Sequence, residues 1–462
     1  MKKYRFTAVL MLFLCLPGFL LPASASSPAT TGSGSALLDA MHVDAAAAIL
    51  IDADTGEILY EQEAHTRRYP ASITKVMTAL LVLEAVGRNA LSLDQIVTAS
   101  ANLHTGIGAG GSTADLKEGE SLSVLDLLYS ILLPSANEAC NVLAEATAGT
   151  IPAFVAQMNQ RAAELGMEDT HFANTHGYHD QDHYTTAYDI ALLCQEVMKY
   201  PTFREIVSST RHTLPATNEH ESRTLHNTNA LISTWYVREY YYSKATGIKT
   251  GSTPEAGYCL ASSATQGQRD LIAVVMGGKH YKDDPESNYF RESSDLLQWG
   301  FKNFSLQTIL DTGEVGIAEI PVTLSSDRNY VTVHPAQSIQ VTLPNDMDIT
   351  AFERKLTLPD QIEAPVTAGQ KLGSVTILYR GKNYGTVDLL ANDAVSRSEL
   401  LYRLDQLQRL LDQFWVKALL VALAVLILAL SLRRALFGKR RRGHNPHREK
   451  VYSGSHYKGR RR

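Results

Sequence analysis

The chain has 462 residues, 45% of them hydrophobic and 20% charged, enough for two or three domains with a large core. Its formal net charge of −5 is unevenly spread: Lys2, Lys3 and Arg5 put +3 on residues 1–25, twelve cations against Glu449 put +11 on residues 433–462, and −19 is left on residues 26–432. So acidic a central region argues against nucleic acid or another polyanion as its main ligand.

Taken in order, residues 1–25 join a basic start to the apolar run Ala8–Leu21 and the small residues Ala23-Ser24-Ala25, the pattern of a secretory signal peptide. Cys15 lies inside it, and the bulky leucine before Cys15 does not suit a lipid-attachment site. Residues 26–37, rich in Ser, Ala, Thr and Gly, read as a flexible leader. Ala45–Asp52 and Ile58–Gln62 then flank a turn containing Gly56, which predicts a hairpin.

Next comes Pro70-Ala71-Ser72-Ile73-Thr74-Lys75, running directly into the apolar stretch Val76–Leu83. A segment apolar almost all round predicts a helix buried within a domain, starting near Ser72. Ser72 and Lys75, three apart, share one face of it, so the amine can reach the hydroxyl. A serine hydroxyl needs a neighbouring base to become a nucleophile, and lysine serves as one where burial lowers its pKa. The plain alternative is a serine cap followed by a solvated lysine.

Residues 98–122 are polar and glycine-rich. Gly106–Gly111 satisfies G-x-G-x-x-G, but no helix start follows and no strand–helix–strand unit surrounds it, so a loop at the rim of a cleft is expected. Val124–Leu133 reads as a helix capped by Ser123 and stopped by Pro134, and Glu138–Ala148 as another. Ser135-Ala136-Asn137 connects them, and alone it reads as a helix cap with a turn asparagine. Ile151–Leu165 repeats the helical pattern up to Gly166. His171, His176, His179 and His183, with Asp180 and Asp182, offer zinc-ligand chemistry, yet the segment looks like a loop and H-E-x-x-H is missing. No metal or other cofactor is therefore expected. Thr185 or Thr186 caps a further helix through Met198.

From about residue 211 the pattern becomes strand-like. Gly247-Ile248-Lys249-Thr250-Gly251-Ser252-Thr253 leads into the runs Gly257–Thr265 and Asp270–Gly277, which predict antiparallel strands, and 284–301 holds a closing helix. The expected fold is α/β: an antiparallel sheet joining the N-terminal hairpin to residues 246–277, with helices around it. Cys140, Cys194 and Cys259, odd in number and without a Cys-x-x-Cys pair, read as buried free thiols.

Ser72-x-x-Lys75, Ser135-x-Asn137 and Lys249-Thr250-Gly251, in that order, form the signature set of serine penicillin-binding proteins and β-lactamases. The string Gly247-Ile-Lys-Thr-Gly-Ser-Thr-Pro-Glu-Ala-Gly-Tyr258, together with Phe172–Gly177 and Tyr184–Asp189, resembles the D-alanyl-D-alanine carboxypeptidase branch, peptidase family S11, over residues 38–303. The resemblance implies a β-lactamase/transpeptidase-like catalytic domain in which Ser72 is the nucleophile, Lys75 its base and Ser135 the proton relay. It further implies that Asn137 holds a substrate amide, Lys249 and Thr250 the terminal carboxylate, that Gly251 lets the peptide come close, and that Ser72 and Ser252 supply oxyanion N–H groups. The implied partners are a peptidoglycan stem peptide ending in D-Ala-D-Ala and β-lactams as covalent inhibitors. A β-lactamase, a transpeptidase, a zinc peptidase and a non-catalytic wall-associated regulator are the competing readings. No glutamate stands where an activated water for β-lactamase turnover would need it, and the transpeptidase normally carries a larger accessory architecture.

Residues 306–395 lack helical periodicity and carry short strand runs such as Val315–Ile320 and Ser374–Tyr379, which predict a small β-sandwich resembling the family's C-terminal domain. Residues 396–413 predict an amphipathic helix bearing Leu400, Leu401, Leu404, Leu407, Leu410 and Leu411. Phe414–Leu432 predicts a transmembrane helix, and the basic residues 433–462 then predict a cytoplasmic tail with the catalytic domain outside. The family often ends instead in a membrane-surface helix, which leaves the purpose of the tail open.

Overall fold

The computed structural model describes residues 41–437. The expected signal segment, leader and most of the basic tail lie outside the described residues.

In chain order, strands β1 (Ala47–Asp52) and β2 (Ile58–Gln62) precede a 3-10 turn at Ala71–Thr74 and helix α1 (Lys75–Gly87). The short strands β3 (Ile96–Thr98) and β4 (Ser121–Ser123) bracket the glycine-rich loop. Helices α2 (Val124–Leu132), α3 (Asn137–Ala148), α4 (Ile151–Glu164), α5 (Ala187–Val197) and α6 (Pro201–Ser208) follow. A second short pair, β5 (Arg211–Leu214) and β6 (Arg223–His226), leads to the long strands β7 (Ala245–Thr253), β8 (Gly257–Gln266) and β9 (Arg269–Gly278). Helix α7 (Tyr289–Asn303) and strand β10 (Phe304–Leu310) come next. The remainder holds β11 (Ala318–Thr323), β12 (Tyr330–Pro335), β13 (Ile339–Pro344), β14 (Glu353–Thr357), β15 (Ile362–Glu363), β16 (Lys371–Tyr379), β17 (Lys382–Ala391), α8 (Glu399–Asp412) and α9 (Phe414–Phe437).

The helix starts obey local chemistry. Ser123 accepts a hydrogen bond from Asp126 N, Thr150 from Ala153 N, Thr186 from Asp189 N, and Asn288 from Phe290 N and Arg291 N. Ser135 breaks the pattern: the cap of α3 is Ala136, and Ser135 stands before it at φ +71°.

Two compact units divide the chain, the first taking the residues up to Ile309 together with Gln340–Ala351. Its main sheet has the order β2-β1-β9-β8-β7, all antiparallel, and so unites the N-terminal hairpin with the three long strands as the alternation predicts. Both faces of the sheet are covered. Ala47, Ile49 and Ile51 of β1, with Ile272, Val274 and Met276 of β9, join α1 to α6 in one core. Ala48, Leu50, Leu271, Ala273 and Val275 pack with Leu296, Leu297 and Phe301 of α7 in the other. Helix α1 is buried along almost its whole length, from Lys75 to Leu83. Each large aliphatic side chain it buries contributes about 1.5–3 kcal/mol. Strand β7 ends the sheet, so its outer edge stays free beside the start of α1.

The strands of the second unit form one sheet with the hydrogen-bonded order β14-β16-β17-β12-β11-β15, and α8 and α9 follow it in the chain. Val331, Val333, Val375, Ile377, Val387 and Leu389 form its buried layer. Ser398 caps α8, whose six leucines are all exposed, Leu400 at 69%. Helix α9 extends five residues beyond the predicted Leu432; its 24 residues measure ~36 Å. Among the described residues it is the one helix long and apolar enough to cross a membrane.

Candidate active site

The local backbone at Ser72 is set by a sharp entry into α1. Ala71 takes φ +47°, and the 3-10 turn places Ser72 one turn ahead of Lys75, the first residue of α1. Lys75 is fully buried, and its Nζ donates to Ser72 Oγ at 2.9 Å, Asn137 Oδ1 at 2.7 Å and the His176 carbonyl at 2.6 Å. Burial pushes its pKa down to about 8, against the opposing pull of the Cys140 and Glu138 groups nearby. The choice of partners matters. The amide oxygen and the carbonyl can only accept, so once Lys75 loses a proton the Ser72 hydroxyl is the one of these three partners that can donate to its lone pair.

Ser135 Oγ is buried in the same cleft and has no hydrogen-bond partner among the described residues. Its backbone is held by Ala136 N donating to the Ser130 carbonyl and Asn137 N to the Ser112 carbonyl, both 2.9 Å. Lys249 is equally buried. Burial, with the Lys75 charge added, pushes its pKa well down, and Nζ donates to the Thr250 carbonyl at 3.1 Å. Thr250 Oγ1 pairs with Thr228 Oγ1 at 2.7 Å.

Gly251 brings β7 against the start of α1. A Cβ there would lie 3.0 Å from Ser72 N and 3.1 Å from both Ile73 N and Pro70 O, so a side chain would force strand and helix apart. The structure thus brings Ser72, Lys75, Ser135, Asn137, Lys249, Thr250, Gly251 and Ser252 together around one cleft. The cleft has two lobes that share Ser72, Ser112 and Ser252. One runs past Ser135, Thr228 and Thr250 toward Tyr236, Tyr258 and Tyr289, the other past Asn137 and Tyr178 toward Glu255.

The glycine-rich loop forms the rim of the second lobe through Ala109, Gly110 and Gly111, as expected. A Cβ on Gly108 would sit 2.3 Å from Tyr178 Oη, and one on Gly111 2.7 Å from Asn137 Nδ2. Glu138 pins the loop from α3, accepting from Thr113 Oγ1 and Ala114 N, and Asn141 Nδ2 donates to the Leu103 and Thr105 carbonyls.

The histidines of 171–183 serve this scaffold. His183 lies between Thr74 Oγ1 and Ala173 N, and His176 between Tyr178 N and the Thr105 carbonyl. Burial pushes both imidazoles down to about 3, so they are neutral. Among the described residues no three His, Cys, Asp or Glu side chains stand close enough to hold a metal ion.

Motif reading missed Glu138, Asn141, Thr228 and the His176 carbonyl. Asn137, Glu138 and Asn141 form a polar stripe on the buried part of α3, a signal that could have found the first two. Thr228 and a backbone carbonyl carry no such signal.

Comparison with known proteins agrees with this geometry. The family model for D-alanyl-D-alanine carboxypeptidases matches residues 34–280, and that for the C-terminal domain of penicillin-binding protein 5 matches residues 304–397. The D-alanyl-D-alanine carboxypeptidase DacF of Bacillus subtilis is 30% identical over 84% of this chain and 94% of its own length. DacD of Salmonella typhimurium is 34% identical over 78% of this chain and 89% of its own. The crystal structure of penicillin-binding protein 5 from Haemophilus influenzae superposes with a TM-score of 0.60 at 29% identity, covering 77% of this chain and 99% of that one. With its serine and lysine seated in one buried cleft, the chain belongs to the D-alanyl-D-alanine carboxypeptidases of peptidase family S11.

Proposed function

We propose that the chain is a serine-type carboxypeptidase that removes the terminal D-alanine from peptidoglycan stem pentapeptides through an acyl-enzyme on Ser72. The observation that carries this reading is the buried Lys75 amine, which bonds three partners of which only the Ser72 hydroxyl can donate. Neutral Lys75 takes the Ser72 proton as Oγ bonds to the carbonyl carbon of the penultimate D-alanine. The backbone N–H groups of Ser72 and Ser252 hold the oxyanion, contributing about 3 kcal/mol per donor at the transition state. The C–N bond then breaks, its electron pair leaves on the amine of the terminal D-alanine, and the proton passes from Lys75 through Ser135 Oγ to that amine. Water attacks the ester, releasing the shortened peptide and restoring Ser72.

Asn137 holds the substrate's backbone amide. Lys249 and Thr250 hold its terminal carboxylate, and Gly251 leaves room for the peptide along the edge of β7. A β-lactam presents a reactive carbonyl and a carboxylate to the same groups and is trapped at Ser72. Phe414–Leu432 crosses the membrane once, with the catalytic domain outside the cell and the basic tail in the cytoplasm; the length and composition of α9 support this topology.

The test is D-alanine release from a peptide ending in D-Ala-D-Ala by the full-length protein in detergent, beside Ser72→Ala. Release that penicillin abolishes and the variant lacks is the expected result. Release that survives in Ser72→Ala would sink the acyl-serine mechanism.

A further inference from the structure

Between Ser135 and Thr250 stands a residue to which the three motifs assign nothing. Strand β6 runs straight into Asn227-Thr228-Asn229, and the two asparagines, 2% and 1% exposed, tie this segment down on both sides. Asn227 Nδ2 donates to the Val207 and Ser209 carbonyls at the end of α6, at 3.2 and 2.9 Å. Asn229 Nδ2 donates to the Gly247 carbonyl of β7 at 3.1 Å, and its Oδ1 accepts from Leu231 N at 3.0 Å. Thr228 is thus held from either side on the wall of the cleft lobe that also carries Ser135 and Thr250.

The Thr228 hydroxyl has one hydrogen and two places to put it. Its oxygen lies 3.2 Å from the Leu133 carbonyl, just ahead of Pro134 and Ser135, and 2.7 Å from Thr250 Oγ1. The carbonyl can only accept, and it also takes the Thr228 N–H at 3.2 Å. When Thr228 gives its hydrogen to Leu133, Thr250 gives its own to Thr228, and neither hydrogen is left for a ligand. A carboxylate entering the cleft draws the Thr250 hydrogen to itself. Thr228 then turns its own hydrogen to Thr250 Oγ1, while the Leu133 carbonyl keeps the N–H. The exchange gives up the longer of the two hydroxyl bonds and leaves no group without a partner. A hydroxyl that is itself donated to is also the stronger donor.

We propose that Thr228 is a positioning residue for carboxylate recognition: its hydroxyl reverses direction when the substrate's terminal carboxylate arrives, and so holds and strengthens Thr250 as a donor. This inference rests on the carboxypeptidase reading above. Through the Leu133 carbonyl the same residue joins the segment leading to Ser135 to the strand that bears Lys249 and Thr250.

The test measures acylation of the full-length protein in detergent by benzylpenicillin, whose carboxylate is free, and by its methyl ester, and takes the ratio of the two second-order rate constants. Thr228→Val, which keeps the shape and removes the hydroxyl, should lower the acid-to-ester ratio about five-fold, the yield of one ordinary hydrogen bond. Thr228→Ser should restore the wild-type ratio. In a Thr250→Val background Thr228→Val should change the ratio no further, because its effect passes through Thr250. A purely structural role would slow both penicillins alike, and because each protein serves as its own reference a partly inactive preparation does not change the ratio. Should Thr228→Val not fold, Thr228→Ala supplies the same comparison. A wild-type ratio in the variant that lacks the hydroxyl, or a further five-fold fall in the Thr250→Val background, overturns the inference while leaving the carboxypeptidase intact. Failure of benzylpenicillin to acylate Ser72 in the wild type overturns both.

Discussion

Lys75 carries two opposed consequences of burial. To act as the proposed base it must be neutral, and a pKa of about 8 leaves it protonated most of the time at pH 7. Acylation of the free enzyme by penicillin should therefore rise about tenfold per pH unit below that value and level off above it. A profile flat from pH 6 to 9 would remove Lys75 from the role of base. The same shift bears on stability. Between about 8 and the ordinary lysine value of 10.5 the unfolded chain holds a proton that the folded chain lacks, so stability rises with pH across this window, by roughly 3 kcal/mol at most. Lys75→Met lacks that titration, and urea unfolding should show the wild type gaining on the variant from pH 8 to 10.5. Much of this was legible in the sequence, since Ser-x-x-Lys at a helix start fixes which side chains meet. The acceptors that aim the amine were not, because the His176 carbonyl lies 101 residues away and belongs to the backbone.

At the scale of elements, the site depends on the close approach of β7 to the start of α1. Gly251→Ala places a methyl group 3.0–3.1 Å from Ser72 N, Ile73 N and Pro70 O, so either the strand or Ser72 must shift by a few tenths of an ångström. The expected outcome is penicillin acylation slowed by ten- to a hundred-fold, with a cost of about 1–3 kcal/mol in stability. Wild-type acylation kinetics in Gly251→Ala would show that the contact is not limiting. The strands themselves follow from short apolar runs and turns, because β8 and β9 are bounded by Gly257, Gly267 and Gly277, and Gly56 lies in the turn after β1. The conformations at Ala71 and Ser135 do not. Both take positive φ without being glycine, and their surroundings impose it: the hydrogen bonds of Ala136 to Ser130 and of Asn137 to Ser112 hold Ser135 out of the capping position its sequence suggests. The glycine-rich loop is the converse case. Its glycines were legible, but the reason for them, Tyr178 and Asn137 pressing on Gly108 and Gly111, comes from residues distant in sequence.

At the scale of the whole molecule, the C-terminal helices bear on the proposed membrane topology. Helix α8 leaves its six leucines exposed, and α9 presents an apolar surface broken early by Lys417, whose Nζ meets Asp412 Oδ1 at 2.9 Å, and later by Arg433 and Arg434. Apolar area of that extent is stable only when something other than water covers it. Gln413 departs from helical geometry between them, and Phe414 and Trp415 follow at the junction, where aromatic rings favour a membrane interface. Such an arrangement fits α8 lying along a membrane surface and α9 crossing it. Twelve Lys and Arg within residues 433–462 oppose export of the tail, which supports the proposed topology with Ser72 outside. A small tag fused after Arg462 should resist protease added to cells whose cytoplasmic membrane is intact and become cleavable once that membrane is permeabilised. A fluorescent penicillin that cannot enter the cytoplasm should still label Ser72 in the intact cells. Tag cleavage without permeabilisation, with the catalytic domain labelled from the same side, would mean that α9 lies on the membrane rather than across it.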